Sequence, residues 1–411
     1  MTTSDLRAQG ALVRQGALAL AQATDVQRAG VLRRVAAQLD QRSEELLAVN
    51  AREVAAYAQN GPGRDRLTLS TARVDAMARA LEDIANAPDP LGETVDRDVR
   101  PNGLRVERQR VPLGVIGVVY ENRPNVTSDV AGLCVRSGNA AYLRGSSSAM
   151  RTNNHIVSLW REALASEGLP VDGVALVADP SHESAVAFMQ LSDVLDCLVP
   201  RGGPSLIAAM REHARVPYVL DGEGNCHVYV DEHADVAMAL AIVHNAKTSR
   251  PGVCNAVETV LVHRSVAREF LPAMAASMPD VTLRAEPTAR SYLPGADAAT
   301  ESDFTEEFLD LILAVKVVDS LEEALTHVAR YGTGHSEAIV TQNLANAETW
   351  VRRVDAAAVL VNASTRFIDG GELGLGAEVG ISTQKLHARG PMGLRELTCL
   401  KWVVRGEGQV R

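Results

Sequence analysis

The pattern of apolar and polar positions predicts helices and one hairpin in the first part of the chain. Between residues 5 and 60, apolar residues recur at helical spacing within alanine-rich stretches that have charged faces. Another helix is predicted over 71–86. From Val95 to Val111, apolar and charged residues alternate around a Pro-Asn-Gly turn, which predicts an exposed antiparallel hairpin. Because an isolated hairpin is only marginally stable, we expect it to pair with another element.

Farther along, short apolar runs alternate with helical patterns in two series. The first series predicts strands at 115–120, 140–143, 174–177 and 197–199. The second predicts strands at 228–230, 257–262, 281–283, 312–318, 338–340 and 358–361. This alternation predicts an α/β fold with two doubly wound parallel domains that join near 225–235, and such sheets bind ligands at the carboxyl ends of their strands. A last strand is predicted at 399–404.

Composition and charge exclude several functional classes. The 411 residues include 41 Lys plus Arg and 51 Asp plus Glu, a formal net charge of −10, which disfavours a nucleic-acid partner. No apolar run approaches the about 18 residues that span a bilayer, so we expect no membrane association. The five cysteines are widely separated and form no C-x-x-C pair, which predicts no metal site and a reducing, cytoplasmic environment.

Cys254 is the strongest candidate for catalytic chemistry. It stands between the Pro251-Gly252 turn and a strand-like run, so we expect it to be displayed on a bend. A thiolate is a strong nucleophile toward carbonyl carbon, and its reactivity depends on exposure and local charge. The alternative is that Cys254 is a small buried apolar side chain, as free cysteines usually are.

Two glycine-containing turns between a strand and a helix are candidates for phosphate binding. One is Arg-Gly-Ser-Ser-Ser at 144–148, and the other is Pro-Arg-Gly-Gly-Pro-Ser at 200–205. Backbone N–H groups and the helix dipole favour phosphate at such points, and Arg144 is suited to grip a ribose 2′-phosphate. The alternative is that the serines and glycines only cap helices.

Two further segments carry polar side chains to the expected ligand side of the sheets. The segment 121–127 includes Asn125, whose amide is suited to donate a hydrogen bond to an oxyanion, although an Asn-rich helix cap is the alternative. The glycine-rich segment 365–391 reads as a long loop with Arg366 and Arg389. Its arginines and hydroxyls are suited to an anion, unless they are merely solvated.

These segments together resemble those of the γ-glutamyl phosphate reductase family, also called glutamate-5-semialdehyde dehydrogenases, within the aldehyde dehydrogenase superfamily. The similar segments are VPLGVIGVVYENRPNVT (111–127), RGS (144–146), GNCHVYVD (224–231), TSRPGVCNAVET (248–259) and the loop 362–395. The resemblance extends from about residue 5 to the end of the chain. It implies an aldehyde dehydrogenase-like fold, with a small β element that joins subunits of a homo-oligomer.

The resemblance also implies domain limits. Residues 1–94 and 112–228 are expected to form an NADP-binding domain, and 229–390 a catalytic domain with Cys254. The segments 95–111 and 391–411 are expected to form the bridging, oligomerisation β element.

The resemblance assigns roles to individual residues. Cys254 corresponds to the nucleophile and Asn125 to the oxyanion donor. The cofactor, NADPH, is assigned to Arg144, Ser146, Ser147, Arg201, Gly202, Gly203 and Glu307. The substrate is assigned to Asn255, Arg366 and Arg389. The implied reaction is reduction of L-glutamyl 5-phosphate to L-glutamate 5-semialdehyde and phosphate in proline biosynthesis, with glutamate 5-kinase as a candidate partner.

The sequence departs from aldehyde-oxidising members of the superfamily at one position. Those members carry a glutamate that activates water, and here that position is Leu220, with Asp221 and Glu223 nearby. An enzyme that handles an acyl phosphate must keep water from its thioester, so this change favours phosphate chemistry. The alternatives are an ordinary NAD(P)-dependent aldehyde dehydrogenase that releases a free acid, and a cysteine hydrolase with His227 or His244 as its base.

Overall fold

Two units make up the fold. The computed structural model describes residues 2–58, 62–220 and 222–411. The first unit comprises Met1–Leu220, Gly374–Gly380 and Met392–Arg411, and the second comprises Asp221–Leu373 and Ile381–Pro391. The chain therefore crosses between the units near residue 220 and again in the glycine-rich loop.

The first unit begins with the predicted helices and hairpin, which the structure confirms, and with one short helix that was not predicted. The helices are α1 (Thr3–Gln22), α2 (Asp25–Gln41), α3 (Ser43–Ala56), α4 (Pro62–Leu67) and α5 (Thr71–Asn86). Thr2 and Thr24 form capping boxes at the starts of α1 and α2, which satisfies N–H groups that have no partner inside the helix. The hairpin consists of β1 (Thr94–Val99) and β2 (Arg105–Pro112), paired antiparallel.

A parallel sheet forms the centre of the first unit. Its strands are β3 (Val115–Tyr120), β4 (Ala140–Arg144), β5 (Val174–Leu176) and β6 (Cys197–Arg201), in the order β5-β4-β3-β6. The intervening helices are α6 (Pro124–Arg136), α7 (Met150–Ser166), α8 (His182–Met189) and α9 (Pro204–His213). Every residue of β3 is buried, as expected for a central parallel strand covered by helices on both faces.

The second unit is also a helix-covered parallel sheet. Its strands are β7 (Cys226–Val230), β8 (Val257–His263), β9 (Thr282–Ala285), β10 (Asp297–Ala298), β11 (Ile312–Val318), β12 (Ser336–Val340) and β13 (Ala358–Val361), in the order β10-β9-β11-β8-β7-β12-β13. Its helices are α10 (Val236–Thr248), α11 (Arg264–Ser277), α12 (Pro287–Arg290), α13 (Leu321–Tyr331) and α14 (Leu344–Arg353). The short strands β14 (Ile381–Ser382) and β15 (Gly390–Pro391) pair with each other.

A separate three-stranded antiparallel sheet completes the first unit. The last strand, β16 (Thr398–Arg405), pairs with β2 along its whole length, which gives the order β1-β2-β16. The predicted hairpin thus has the pairing partner that its marginal stability requires. Among the described residues, no helix combines the length and apolar character needed to cross a membrane.

The point at which the chain changes units differs from the expected limit at 228/229. That limit falls inside β7, and all of β7 pairs with β8 and β12 in the sheet of the second unit. The structure divides the chain at Leu220 instead. Residues 222–225, before β7, therefore belong with Cys254 in one unit.

Candidate active site

Cys254 lies on the turn between α10 and β8, half-buried, as its place after Pro251-Gly252 predicts. Its main chain is fixed from two sides. The thiol of Cys226 donates to the carbonyl oxygen of Cys254 at 3.1 Å. Gly224 packs so closely that a methyl group on its Cα would lie 1.6 Å from that oxygen. The turn is therefore held rigidly while its side chain stays accessible.

The five cysteines differ in accessibility. Cys134, Cys197 and Cys226 are buried, and burial raises the pKa of each, so their thiols remain protonated. Cys399 is exposed on β16. Cys254 is accessible and lies on a turn just after Pro251-Gly252, outside any helix or strand, which favours a reactive role over a packing role.

Arg366 lies beside Cys254. Its Nη1 donates to the amide oxygen of Asn255, and its Nε donates to the hydroxyl of Ser249 at 3.2 Å. Burial lowers the pKa of Arg366, and its charge interacts with Cys254 and with Arg250. Asp369 and Glu372 also interact with the Arg366 charge, and a guanidinium group near the thiol attracts an anionic substrate.

The predicted substrate residues do not all converge. Asn255 is buried, and its amide nitrogen donates to the carbonyl of Ile368 at 2.8 Å, which orients its oxygen toward Arg366. Arg389 instead forms an ion pair with Asp355 at 2.9 Å. The structure thus brings Asn255 and Arg366 together and gives Arg389 a different partner. Arg250, which interacts electrostatically with Arg366, was not among the residues that the sequence predicted for this site.

Glu307 is connected to the Cys254 turn through Gly224. Its Oε1 accepts a hydrogen bond from the N–H of Gly224 at 2.8 Å. Because Gly224 packs on the main chain of Cys254, Glu307 is one residue removed from Cys254. The second unit therefore gathers Cys254, Asn255, Glu307 and Arg366 in one region.

The two glycine-containing turns of the first unit lie at the same edge of its sheet. Arg144 at the end of β4 pairs with Val119 of β3, and Arg201 at the end of β6 pairs with Tyr120 of β3. Both turns therefore follow the carboxyl ends of the two strands that flank β3, at the edge where nucleotides bind in such sheets. The Nη2 of Arg144 donates to the carbonyls of Pro180 and Ser181 at 2.6 and 2.9 Å.

The serines of the first turn do not cap α7, contrary to the simpler interpretation. The hydroxyls of Ser146 and Ser148 donate to the amide oxygen of Asn122 at 2.8 and 2.5 Å. The carboxylate of Glu53 accepts the N–H groups at the start of α7 instead. Ser147 is exposed. The first turn thus presents a hydroxyl network rather than a set of helix caps.

The glycines of both turns pack tightly against neighbouring side chains, so a larger residue would overlap them. A methyl group on Gly145 would lie 2.4 Å from the amide nitrogen of Asn153, and one on Gly202 would lie 2.8 Å from the carboxyl carbon of Glu121. The N–H of Gly203, at the start of α9, donates to the carboxylate of Glu121 at 3.2 Å. The N–H at this helix N-terminus thus already has an anionic acceptor, as the helix dipole favours.

Asn125 is exposed in the first turn of α6, and it is not a helix cap. Its amide nitrogen donates to Asp129, one turn later, at 3.1 Å. Burial raises the pKa of Asp129 to about 6, although the Asn125 hydrogen bond opposes this. The Asp129 carboxylate accepts one N–H of the Asn125 amide and so holds that amide in one orientation. The N-cap of α6 is Arg123, without a side-chain capping bond.

The histidines proposed as alternative bases are engaged elsewhere. His227 is fully buried on β7, with its Nδ1 2.9 Å from Glu337. His244 is exposed on α10 beside Thr248. Of the possible water-activating groups, Leu220 is half-buried and apolar, Glu223 is exposed, and Asp221 lies outside the described residues. His227 and His244, the two histidines considered as bases, thus have Glu337 and Thr248 as their described partners.

Comparisons with known proteins agree with this arrangement. The aldehyde dehydrogenase family model matches residues 3–296. A gamma-glutamyl phosphate reductase of Moorella thermoacetica is 50% identical over 99% of both chains. One of Thermobifida fusca is 53% identical over 92% of this chain and 91% of its own.

Solved structures give the same result. The crystal structure of gamma-glutamyl phosphate reductase from Thermotoga maritima is 44% identical, covers 99% of each chain and has a TM-score of 0.95. The expected aldehyde dehydrogenase-like fold is thus confirmed. The accessible cysteine, the paired glycine turns and these full-length similarities agree, and the chain belongs to the gamma-glutamyl phosphate reductases of the aldehyde dehydrogenase family.

Proposed function

We propose that this chain reduces L-glutamyl 5-phosphate to L-glutamate 5-semialdehyde and phosphate in proline biosynthesis, through a thioester on Cys254 and with NADPH as the reductant. The observation that carries the mechanism is the accessible Cys254 beside Arg366 in a homologue of gamma-glutamyl phosphate reductases. The function matches that of the relatives, and ordinary aldehyde oxidation to a free acid is not favoured.

The proposed chemistry has two stages. The Cys254 thiolate attacks the acyl carbon, a carbon–sulfur bond forms, and phosphate leaves with the electron pair of the carbon–oxygen bond and takes up a proton. Hydride addition to the thioester carbon then gives an oxyanion, whose collapse releases the aldehyde and restores the thiolate. Placing the acyl group on sulfur divides one difficult reduction into two easier steps.

The aldehyde dehydrogenase family implies a nicotinamide cofactor, and the residues present fit one. At the two turns, Gly145 and Gly202 pack too tightly for any larger residue, and the Nε of Arg144 is buried with no hydrogen-bond partner among the described residues. In the proposal, Arg144, Ser146 and Ser147 hold the phosphorylated ribose, and 201–203 hold the pyrophosphate. Glu307 holds the nicotinamide ribose. The cofactor supplies the hydride.

The remaining assignments concern charge and water. Asn125, oriented by Asp129, is assigned the hydrogen bond to the oxyanion. Arg366, with Asn255 and Arg250 beside it, is assigned the anionic groups of the substrate, and Arg389 is a second substrate residue in this proposal. Leu220 stands where aldehyde-oxidising relatives have a base, which protects the thioester from hydrolysis.

The three-stranded sheet is the proposed subunit contact of a homo-oligomer. Its side chains include exposed apolar groups, with Val99 62%, Trp402 66% and Val404 55% exposed. Exposed apolar groups on a sheet whose outer strands are β1 and β16 favour pairing with a second copy. Glutamate 5-kinase is the further proposed partner, because direct transfer would protect an acyl phosphate from water.

Phosphate dependence distinguishes the proposed reaction from ordinary aldehyde oxidation. In the reverse direction, the purified protein is expected to reduce NADP with glutamate 5-semialdehyde only when phosphate is present, because phosphate must cleave the thioester. Absorbance at the NADPH band measures the rate, and acetaldehyde is the control substrate. Equal rates with and without phosphate would instead establish an enzyme that releases a free acid.

Arg144→Ala is expected to weaken NADPH binding about tenfold while leaving NADH binding nearly unchanged, because a charge-assisted hydrogen bond to the 2′-phosphate is lost. Fluorescence titration of both cofactors measures this difference. Arg151→Ala, at an exposed arginine of α7, is the control and should change neither affinity. An equal loss for both cofactors would show that Arg144 only supports the 180–181 carbonyls.

A further inference from the structure

A buried ion pair joins the two ends of the segment that carries Cys254. Lys247 near the end of α10 and Glu258 on β8 are both 0% exposed, and Nζ lies 2.5 Å from Oε2. Buried ion pairs contribute little net stability relative to well-packed apolar residues, because desolvation offsets their attraction. A contribution to stability therefore does not explain why a charged pair is buried here. The other contacts of Lys247 and Glu258 indicate their role.

Both members of the pair contact the segment after Glu307. The Oε1 of Glu258 accepts a hydrogen bond from the N–H of Leu309 at 3.2 Å. The Nζ of Lys247 lies 6.0 Å from the centre of the Phe308 ring. Leu309 has a φ of 54°, a left-handed conformation that a leucine adopts only when its surroundings impose it. The Glu258 carboxylate is one of those surroundings.

The contacts continue from this segment to the nucleophile. Glu307 precedes Phe308, and its carboxylate accepts the N–H of Gly224. Gly224 in turn packs against the carbonyl carbon and Cα of Cys254, with no space for a side chain. A continuous series of contacts within the second unit thus joins Glu258, Leu309, Glu307, Gly224 and Cys254.

We infer that Lys247 and Glu258 are positioning residues, which hold the 307–309 segment so that Glu307 meets the cofactor and Gly224 supports Cys254. Neither residue touches substrate in this account. Lys247 neutralises Glu258 in the interior, and Glu258 fixes the main chain of Leu309. The inference rests on the proposed roles of Glu307 and Cys254, and it adds a specific hydrogen bond as the means by which they are placed.

Two double variants separate this role from simple packing. Burial lowers the pKa of Lys247, so removing Glu258 alone would leave a disfavoured charge, and both residues are replaced together. K247M/E258Q keeps an oxygen acceptor for the N–H of Leu309. K247M/E258L removes that acceptor while keeping a side chain of similar volume. The ion pair is absent from both, so they differ mainly in the hydrogen bond to Leu309.

We expect K247M/E258Q to bind NADPH as the unmodified protein does, and K247M/E258L to bind it about tenfold more weakly, since one hydrogen bond to the positioned segment is lost. Fluorescence titration without substrate measures affinity. The rate at which iodoacetamide alkylates Cys254, followed by mass spectrometry of its peptide, is expected to change only in the leucine variant. Thermal unfolding verifies that both variants fold, and K247M/E258M replaces the leucine variant if that one does not.

Equal NADPH affinity and equal Cys254 alkylation in the two folded variants would overturn the inference. Neither measurement requires a thioester to form. If the thioester chemistry were wrong, the Cys254 variant would still turn over substrate. The positioning role and the thioester chemistry are therefore tested by different measurements.

Discussion

Cys254→Ser is expected to abolish turnover while NADPH still binds with nearly unchanged affinity. A serine hydroxyl has a much higher pKa than a thiol, and the histidines considered as bases, His227 and His244, are engaged elsewhere. Because the oxygen cannot ionise readily, the acyl group cannot be transferred to the side chain. We expect kcat to fall on the order of 10⁴-fold or more, as when a nucleophile is removed from other covalent enzymes.

The measurement combines steady-state rates with a cofactor titration. Cys399→Ser is the matched control, because Cys399 is also accessible but lies on β16 in the three-stranded sheet. That variant should keep full activity. Undiminished turnover by the Cys254 variant would exclude the thioester, and parallel loss in both variants would indicate general damage by the substitution.

The sequence predicted the elements of the fold well because its apolar periodicity is strong. The strands β3, β11 and β13 begin and end where the apolar runs do. β3 is completely buried and β11 mostly so, and buried parallel strands require nearly continuous apolar side chains. The hairpin was predictable from alternation around its turn, and so was its need for a pairing partner. Only the family resemblance grouped the C-terminal segment with it. These are properties of short segments, which a sequence displays directly.

The change of unit near residue 220 was harder to predict from the sequence. The strand β7 has the same apolar character as the strands of the first unit, and only its pairing with β8 and β12 assigns it to the second. Those pairings join positions far apart in the chain. Apolar runs specify that a strand is buried, but they do not specify which sheet buries it.

The candidate site also contains features that the local sequence predicts and features that only the packing of distant segments determines. Cys254 was predictable because a cysteine after a Pro-Gly turn is displayed by local geometry. The contacts of Glu121 with Gly203, and of Lys247 with Glu258, were not, because they depend on how separate elements pack. In the sequence, Lys247 and Glu258 are ordinary charged residues. Their burial distinguishes them, and burial is a property of the folded chain.

Gly224 shows how strongly the nucleophile depends on such packing. It lies just before β7, and its N–H donates to Glu307. A methyl group there would lie 1.6, 2.4 and 2.6 Å from the carbonyl oxygen, carbonyl carbon and Cα of Cys254. All three are main-chain atoms, so no side-chain rotation can relieve the overlap. Either the strand or the nucleophile turn must move.

Gly224→Ala is therefore expected to lower kcat/KM about 100-fold, because displacement of a reacting group by about 1 Å has an effect of this size. The free energy of unfolding should fall by about 1–3 kcal/mol from overpacking. Steady-state kinetics and thermal unfolding measure the two effects. Gly295→Ala is the control, since a methyl group on Gly295 would meet no atom within 4 Å, and it should change neither quantity. Unchanged kinetics and unchanged stability in the Gly224 variant would mean that this contact does not hold Cys254. Unchanged kinetics with lower stability would mean that the main chain before β7 moves and Cys254 does not.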